Sequence, residues 1–280
     1  MGLFRNWFLL ALMPGLALSA NQVTEVDLVF PRANETYAPS PLTPIVFAIQ
    51  NPRLLSTLKP TLYYHIDLEN VSRGDSNSTV NLVHLEELNY TNGSDPYLLS
   101  FSTTFLNFEG DFSFSWDLDV QRCSYDAETD KVNSEWAGAR RWMFHFSTKY
   151  GASLPDLTAF TEKGICNQTR ALAARVPDTV ELPPTKTADW GAASCAVSPE
   201  MTTPSPCNVK VDASAAESIT ASLTAAACSV PQLWTDVSCP TPSSENSASV
   251  LQYPVTRAWI LAVGVLLWFS LYVSCLEVFQ

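Results

Sequence analysis

Three aspartates lie close together in the stretch DFSFSWDLDV, and paired carboxylates are the groups that hydrolyse glycosidic bonds. Asp111, Asp117 and Asp119 alternate with apolar residues, which places them on one face of a strand. Two carboxyl groups about 5–9 Å apart can cleave a sugar chain as acid and base or as acid and nucleophile. The same alternation is typical of the solvated side of an amphipathic strand, and we expect these aspartates to be solvated rather than catalytic.

Metal and cofactor chemistry has little support in the sequence. The three histidines, His65, His84 and His145, form no His-x-His or His-Glu-x-x-His pattern. No two cysteines are separated by the two residues typical of a zinc site. We therefore expect no catalytic residues, no metal and no cofactor.

Exposed aromatic side chains would favour glycan binding, because sugar rings stack on their flat apolar faces. The candidates are Trp136, Trp190 and Trp234, which lie in segments that we do not predict as strands. The alternative is that these tryptophans pack against the cysteine-rich part of the chain.

The candidate residues lie in or beside segments that predict β-strands. Residues 61–68, 111–120 and 140–148 alternate apolar and polar side chains, as half-buried antiparallel strands do. Four less regular strands are predicted at Val26–Phe30, Ile45–Ile49, Val80–Leu88 and Tyr97–Leu106. The pattern predicts a mainly β fold, an immunoglobulin-like antiparallel β-sandwich over residues 21–182. The Cys…Trp…Cys spacing of the immunoglobulin family itself is missing, because Trp116 precedes the first cysteine.

The segment between Val26 and Pro52 is predicted to be scaffold. Its two apolar runs flank four prolines and one glycosylation motif. Proline cannot donate to a strand ladder, so Pro31 should end the first strand, and the later prolines favour a stiff, extended crossing. No cluster of titratable groups gives this segment a chemistry.

Residues 183–240 are predicted to form a small disulfide-stapled module with one helix near 214–227. Ser214 and Glu217 have the spacing of a capping box, and apolar residues recur every fourth position up to Ala227. A helix of that length spans roughly 20 Å, so Cys207 and Cys228, which flank it, should not pair with each other. We expect Cys123 to pair with Cys166 in the sandwich.

The cysteine count and the glycosylation motifs indicate an oxidising, extracellular compartment. Of seven cysteines, Cys275 lies in the hydrophobic tail, and the remaining six predict three disulfides. Those six are Cys123, Cys166, Cys195, Cys207, Cys228 and Cys239. Asn-x-Ser/Thr motifs occur at Asn34, Asn70, Asn77, Asn89, Asn92 and Asn167, which we expect to be exposed.

Both ends of the chain read as processing signals. Residues 1–20 have the layout of a signal peptide. Residues 241–257 form a Ser/Thr/Pro stalk and spacer, and residues 258–280 form a hydrophobic tail without a basic flank. The small residues Asn246, Ser247 and Ala248 precede the spacer, and this arrangement favours a GPI signal that is cleaved at Asn246. A retained transmembrane helix is the alternative, and either would tie the protein to a membrane.

The stretches VDLVFPRANETYAPSPLTPIVFAIQNP and NVKVDASAAESITASLTAAAC resemble a family of fungal secreted and surface proteins, a domain of unknown function similar to DUF7136. The resemblance covers most of the mature chain. It implies a fungal source, a secretory route and frequent C-terminal anchoring. It brings no catalytic residues, because none are established for the family.

Two classes of function remain. The first is a non-enzymatic glycoprotein at the plasma membrane or cell wall, structural or ligand-binding, with cell-wall polysaccharide as a candidate partner. The second is a secreted glycan-active hydrolase that uses the Asp111, Asp117 and Asp119 face. Nucleic acid is an unfavourable partner for either class, because the chain carries a net charge of −12.

Overall fold

The computed structural model describes residues 22–69, 78–90, 94–230 and 237–240, which form twelve strands and three α-helices. The strands are β1 (Val23–Phe30), β2 (Thr36–Tyr37), β3 (Thr43–Gln50), β4 (Thr61–Leu68), β5 (Ser78–His84), β6 (Tyr97–Thr103), β7 (Gly110–Asp126), β8 (Lys131–Thr148), β9 (Arg170–Arg175), β10 (Thr179–Glu181), β11 (Ser194–Ala196) and β12 (Glu200–Thr202). The helices are α1 (Leu55–Leu58), α2 (Leu157–Phe160) and α3 (Ala213–Ser229). The predicted strand at 80–88 ends earlier, because residues 85–87 form a 3-10 turn.

Two five-stranded sheets carry the fold. Sheet A has the strand order β12-β9-β1-β3-β6, and sheet B has the order β2-β8-β7-β4-β5. A third sheet contains only β10 and β11. Every pair within the described residues is antiparallel except the short pairing of β2 with β8. The mainly β architecture is therefore confirmed, and its immunoglobulin-like topology stays a prediction.

The inner faces of sheets A and B pack on each other and form the core. The Phe47 ring on β3 meets Trp116 on β7 edge-on at 5.5 Å between ring centroids, and Tyr64 on β4 contacts Phe101 on β6 at 5.6 Å. The predicted inward face of β7 is confirmed, since its buried residues include Phe112, Phe114, Trp116, Leu118 and Val120. Residues 45–49 are fully buried on both faces of β3, as their unbroken apolar run predicts.

Three disulfides confirm the predicted number and correct the predicted pairing. The bonds are Cys123–Cys195, Cys166–Cys207 and Cys228–Cys239, so the expected Cys123–Cys166 pair is wrong. The physical reason is the alternation of side-chain directions along β7. Cys123 lies on the same face as Asp117 and Asp119, away from sheet A, where β11 packs against β7. Two of the three disulfides thus tie the cysteine-rich segment to the sandwich.

Helix α3 packs on the outer face of sheet A through the narrow stripe that the sequence predicts. Its buried residues are Ile219, Leu223 and Ala227, and it contacts β3 and β6. The predicted cap is wrong, because Asp212 rather than Ser214 is the N-cap. Its carboxylate accepts a hydrogen bond from the Ala215 amide at 2.8 Å, which satisfies one of the free N–H groups of the first turn.

Several predictions fall outside the described residues. These are the signal peptide, the stalk, the hydrophobic tail, Asn246, Trp234 and the glycosylation motifs at Asn70, Asn77 and Asn92. The other three motif asparagines, Asn34, Asn89 and Asn167, are exposed. In the part of the chain that the structure describes, no helix has both the length and the apolar character to cross a membrane.

Candidate functional site

The three aspartates of β7 lie on the outer face of sheet B, the face that points away from sheet A. Asp111 is exposed, Asp119 is half-buried and Asp117 is buried, with 6% of its surface exposed. At about 3.3 Å per residue, Asp111 is roughly 20 Å from Asp117, whereas Asp117 and Asp119 are roughly 7 Å apart. Only the latter two are close enough to act as a carboxylate pair.

The prediction that Asp117 is solvated is wrong, and the register of the sheet gives the reason. Asp117 lies on a central strand, directly between Tyr63 on β4 and Arg141 on β8. Both flanking side chains are longer than the aspartate, and Arg141 contacts its carboxylate. The Arg141 guanidinium donates through Nε and Nη2 to the same Asp117 oxygen at 2.9 and 2.8 Å, which pairs the buried charge.

An exposed tryptophan lies beside this ion pair. A bulge in β8 shifts the register, so that Val120 opposes Gly138 while Gln121 opposes Trp136. The Trp136 indole N–H lies near enough to the Asp119 carboxylate to lower its pKa, and 65% of the Trp136 surface is exposed. Burial, and then the charge of Asp117, raise the pKa of Asp119. We refer to Trp136, Asp119, Asp117 and Arg141 as the tryptophan–aspartate cluster.

Sequence reasoning missed how this cluster is assembled, although one signal was present. A glycine inside a strand pattern often marks a bulge, and Gly138 lies two residues after Trp136. The role of Arg141 had no local signal, because it depends on the pairing of β7 with β8.

Trp190 has a packing role, as its alternative interpretation proposed. Its indole N–H donates to the Ser56 carbonyl at 2.8 Å, and the Lys59 ammonium lies 5.5 Å from its ring centroid. Lys59 also pairs with Asp189 at 3.1 Å. Trp190 packs against the buried cluster around the Cys123–Cys195 disulfide. Of the described candidate tryptophans, Trp136 therefore presents the open ring.

The histidines lie on outer surfaces and each has an acidic neighbour. His65 Nε2 is 3.0 Å from Asp67, His84 lies beside Glu86, and His145 contacts Glu69 through Nδ1. Among the described residues, no group of three or more His, Cys, Asp or Glu side chains is arranged to hold a metal ion.

The His145–Glu69 pair raises the question of nucleophilic catalysis, because Ser113 lies directly opposite His145 in the β7–β8 register. A serine nucleophile needs N–H donors aimed at the developing oxyanion. Around Ser113, however, the backbone of β7 pairs with β4 on one side and β8 on the other. The backbone N–H groups around Ser113 therefore donate within the sheet, so this strand does not offer Ser113 an oxyanion hole.

Sheet A carries a second pair of carboxyl groups that the sequence analysis did not single out. Glu25 and Asp27 lie on the outer face of β1 and are buried. The Ser205 amide donates to both Glu25 oxygens at 2.8 and 2.7 Å, and Gln50 donates to Asp27 at 2.9 Å. Burial, and then the charge of Glu25, raise the pKa of Asp27 to about 9. With Asp27 fully buried, this pair is structural and no substrate reaches it.

A cleft of about 370 Å³ opens between the proline-rich crossing, the loop before α2 and helix α3. Its wall includes Leu42, Pro44, Leu154, Leu157 and Thr220. The Thr220 hydroxyl is bonded to the carbonyl of Ala216 in its own helix. The cleft is more apolar than polar, and the interpretation of this crossing as scaffold stays a prediction.

Comparison with known proteins places the chain in a family without assigning it a reaction. No curated protein and no solved structure matches it. The family described as "Domain of unknown function (DUF7136)" matches residues 19–239, most of the chain and all of the strands above. This protein therefore belongs to the DUF7136 family.

Proposed function

We propose that this protein is a non-enzymatic surface glycoprotein that binds glycan through the tryptophan–aspartate cluster. The observation that carries the proposal is the Trp136 ring, which is 65% exposed to solvent beside the Asp119 carboxyl group. An exposed aromatic ring offers a flat apolar face on which a sugar ring can stack.

Polar groups beside the ring supply what a saccharide needs in addition to stacking. The exposed edge of Arg141 donates hydrogen bonds, and the Asp119 carboxyl accepts or donates according to its protonation. These groups line an open sheet face rather than a deep pocket. Such a face suits the middle of a polysaccharide chain better than a buried chain end.

An extracellular location supports a role in glycan binding. Three disulfides fit an oxidising compartment, and the signal peptide, the glycosylation motifs and the tail fit a secreted, lipid-anchored chain. We propose that the mature protein ends near Asn246 on a GPI anchor, at the outer face of the plasma membrane or in the cell wall.

Binding is tested by depletion of the purified protein on insoluble β-glucan, chitin and mannan. We expect Trp136→Ala to weaken binding about tenfold or more, or about 1.4 kcal/mol. The matched control is Tyr150→Ala, because Tyr150 is an exposed aromatic residue in the loop after β8 and not in the cluster. Wild-type protein that binds none of these polymers, or equal binding by Trp136→Ala, would refute the proposal.

The anchor is tested by mass spectrometry of the C-terminal peptide of the mature surface protein. The peptide should end at Asn246, or within about two residues of it, and carry the lipid-linked glycan. A peptide that contains Leu276–Gln280 would instead establish a retained transmembrane tail.

A glycan-active hydrolase is the second candidate, and one observation favours it. The raised pKa of Asp119 beside the ion-paired Asp117 resembles the division of labour between an acid and a base. If the protein releases reducing sugar from any of the three polymers, and Asp117→Asn with Asp119→Asn abolishes that release, the enzyme interpretation replaces ours.

A further inference from the structure

Strand β5 is an edge strand of sheet B, and within the described residues it lacks the usual protection of such an edge. It pairs with β4 on one side, and no other described strand pairs with its second side. Natural edge strands usually carry charged residues or proline, or are covered. From Ser78 to Val83 this strand has no charge and no proline. Val80 and Leu82 are 55% and 54% exposed on the outer face.

The backbone groups on the free side of β5 can be identified from the ladder with β4. The Leu85 amide donates to the Pro60 carbonyl at 3.0 Å, so these two residues form a hydrogen-bonded pair. Such pairs alternate along an antiparallel ladder. In the β4–β5 register, the N–H and C=O groups of Val80 and Leu82 therefore point away from β4, toward the free side, as do those of Ser78 and His84.

We propose that β5 pairs antiparallel with β5 of a second copy of this chain, about a two-fold axis at Asn81. In this register Val80 opposes Leu82 of the other copy and Leu82 opposes Val80, so both exposed apolar side chains gain an apolar partner. Ser78 opposes His84 in the same way. All four residues with free backbone groups then lie in hydrogen-bonded pairs, which is the self-complementarity that a two-fold interface requires.

The symmetry of this register favours a second copy as the occupant of the edge, because Val80 and Leu82 lie at equal distances from Asn81. The chain carries a net charge of −12, so most surfaces of two copies repel each other. The paired stretch itself is uncharged, and Glu86 and Glu87 lie beyond its end. Because a seven-residue edge is a small contact, we expect a weak dimer that forms in the micromolar range. The inference does not depend on the glycan proposal.

The test is sedimentation velocity of the secreted protein from about 1 to about 100 µM. It is done before and after enzymatic removal of N-linked sugar, because the motif at Asn77 overlaps the start of β5. We expect the weight-average mass to rise toward that of a dimer in at least one of these samples. Leu82→Lys should keep the protein monomeric, since lysine on an edge strand opposes pairing.

The matched control is Met143→Lys, which changes a residue 68% exposed on the same sheet face but on β8, away from the edge. It should dimerise like the wild type. Hydrogen exchange needs no variant, and it should show slower exchange of the Val80 and Leu82 amides at high protein concentration. The proposal would be overturned if the wild type stayed monomeric in both samples or if Leu82→Lys still dimerised. It would also be overturned if Leu82→Lys and Met143→Lys lost the dimer to the same extent.

Discussion

Replacing Asp27 by asparagine tests whether the buried Glu25–Asp27 pair, which lies under the segment that leads to α3, makes the stability of the fold depend on pH. Asp27 is fully buried between Ala48 on β3 and Ala171 on β9, so neither residue directly opposite it is a cation. Burial, and then the charge of Glu25, raise the pKa of the Asp27 carboxyl group to about 9, so it is protonated at neutral pH. In the variant, the amide has nearly the shape of the protonated acid, and its oxygen can still accept from Gln50.

The size of the expected change in stability follows from the pKa of Asp27, which rises from 3.8 to about 9 on folding. Between these values the folded state holds one more proton than the unfolded state, so stability falls as the pH rises. The loss is about 1.4 kcal/mol per pH unit, or about 4 kcal/mol between pH 4 and pH 7. A side-chain amide has no proton to lose in this range, so the Asp27→Asn variant should not carry this part of the pH dependence.

The assay is the free energy of unfolding from urea melts at several pH values between 4.5 and 8. We expect Asp27→Asn to be more stable than the wild type at pH 8, with a difference that shrinks as the pH falls. Asp111→Asn removes an exposed carboxylate and should follow the wild type. The explanation fails if the wild type and Asp27→Asn show the same slope, or if the wild type becomes more stable toward pH 8.

Two further outcomes follow from the packing. Trp116→Ala should lower the free energy of unfolding by about 3–5 kcal/mol in a urea melt, since Trp116 is fully buried between the sheets. Asp117→Ala should lower it by about 1 kcal/mol through loss of the ion pair with Arg141. Equal losses in the two variants would contradict this order. Peptide mapping of unreduced protein should recover Cys123–Cys195 and Cys166–Cys207 and no free thiol among the six; a peptide linking Cys123 to Cys166 would refute the disulfide geometry.

Features that depend on a residue and its near neighbours could be predicted from the sequence. The inward and outward faces of β4 and β7 follow from alternation, and the buried stripe of Ile219 and Leu223 follows from helical spacing. The number of disulfides could also be predicted, because it follows from the even number of cysteines and does not depend on which segments meet in the fold.

What the sequence could not supply is which segments cover which face. Alternation placed Asp117 outside the core correctly, but it is buried between Tyr63 and Arg141 on the neighbouring strands, and Arg141 pairs with it. Cys123 was assigned to the wrong partner for a related reason, because its side chain faces β11 rather than Cys166. Both errors concern contacts between residues distant in sequence, and a single sequence does not record them.

The two outer faces of the sandwich differ in how far other segments of the described chain cover them. On sheet A, α3 and the segment around Ser205 cover the surface, and even the carboxyl groups of Glu25 and Asp27 are held inside. On sheet B, large side chains of Trp136 and Met143 stay open to solvent. Exposed apolar groups gathered on one face are typical of an interaction surface. We therefore propose that partners meet the part of the outer face of sheet B around Trp136 and Met143, which none of the described residues covers.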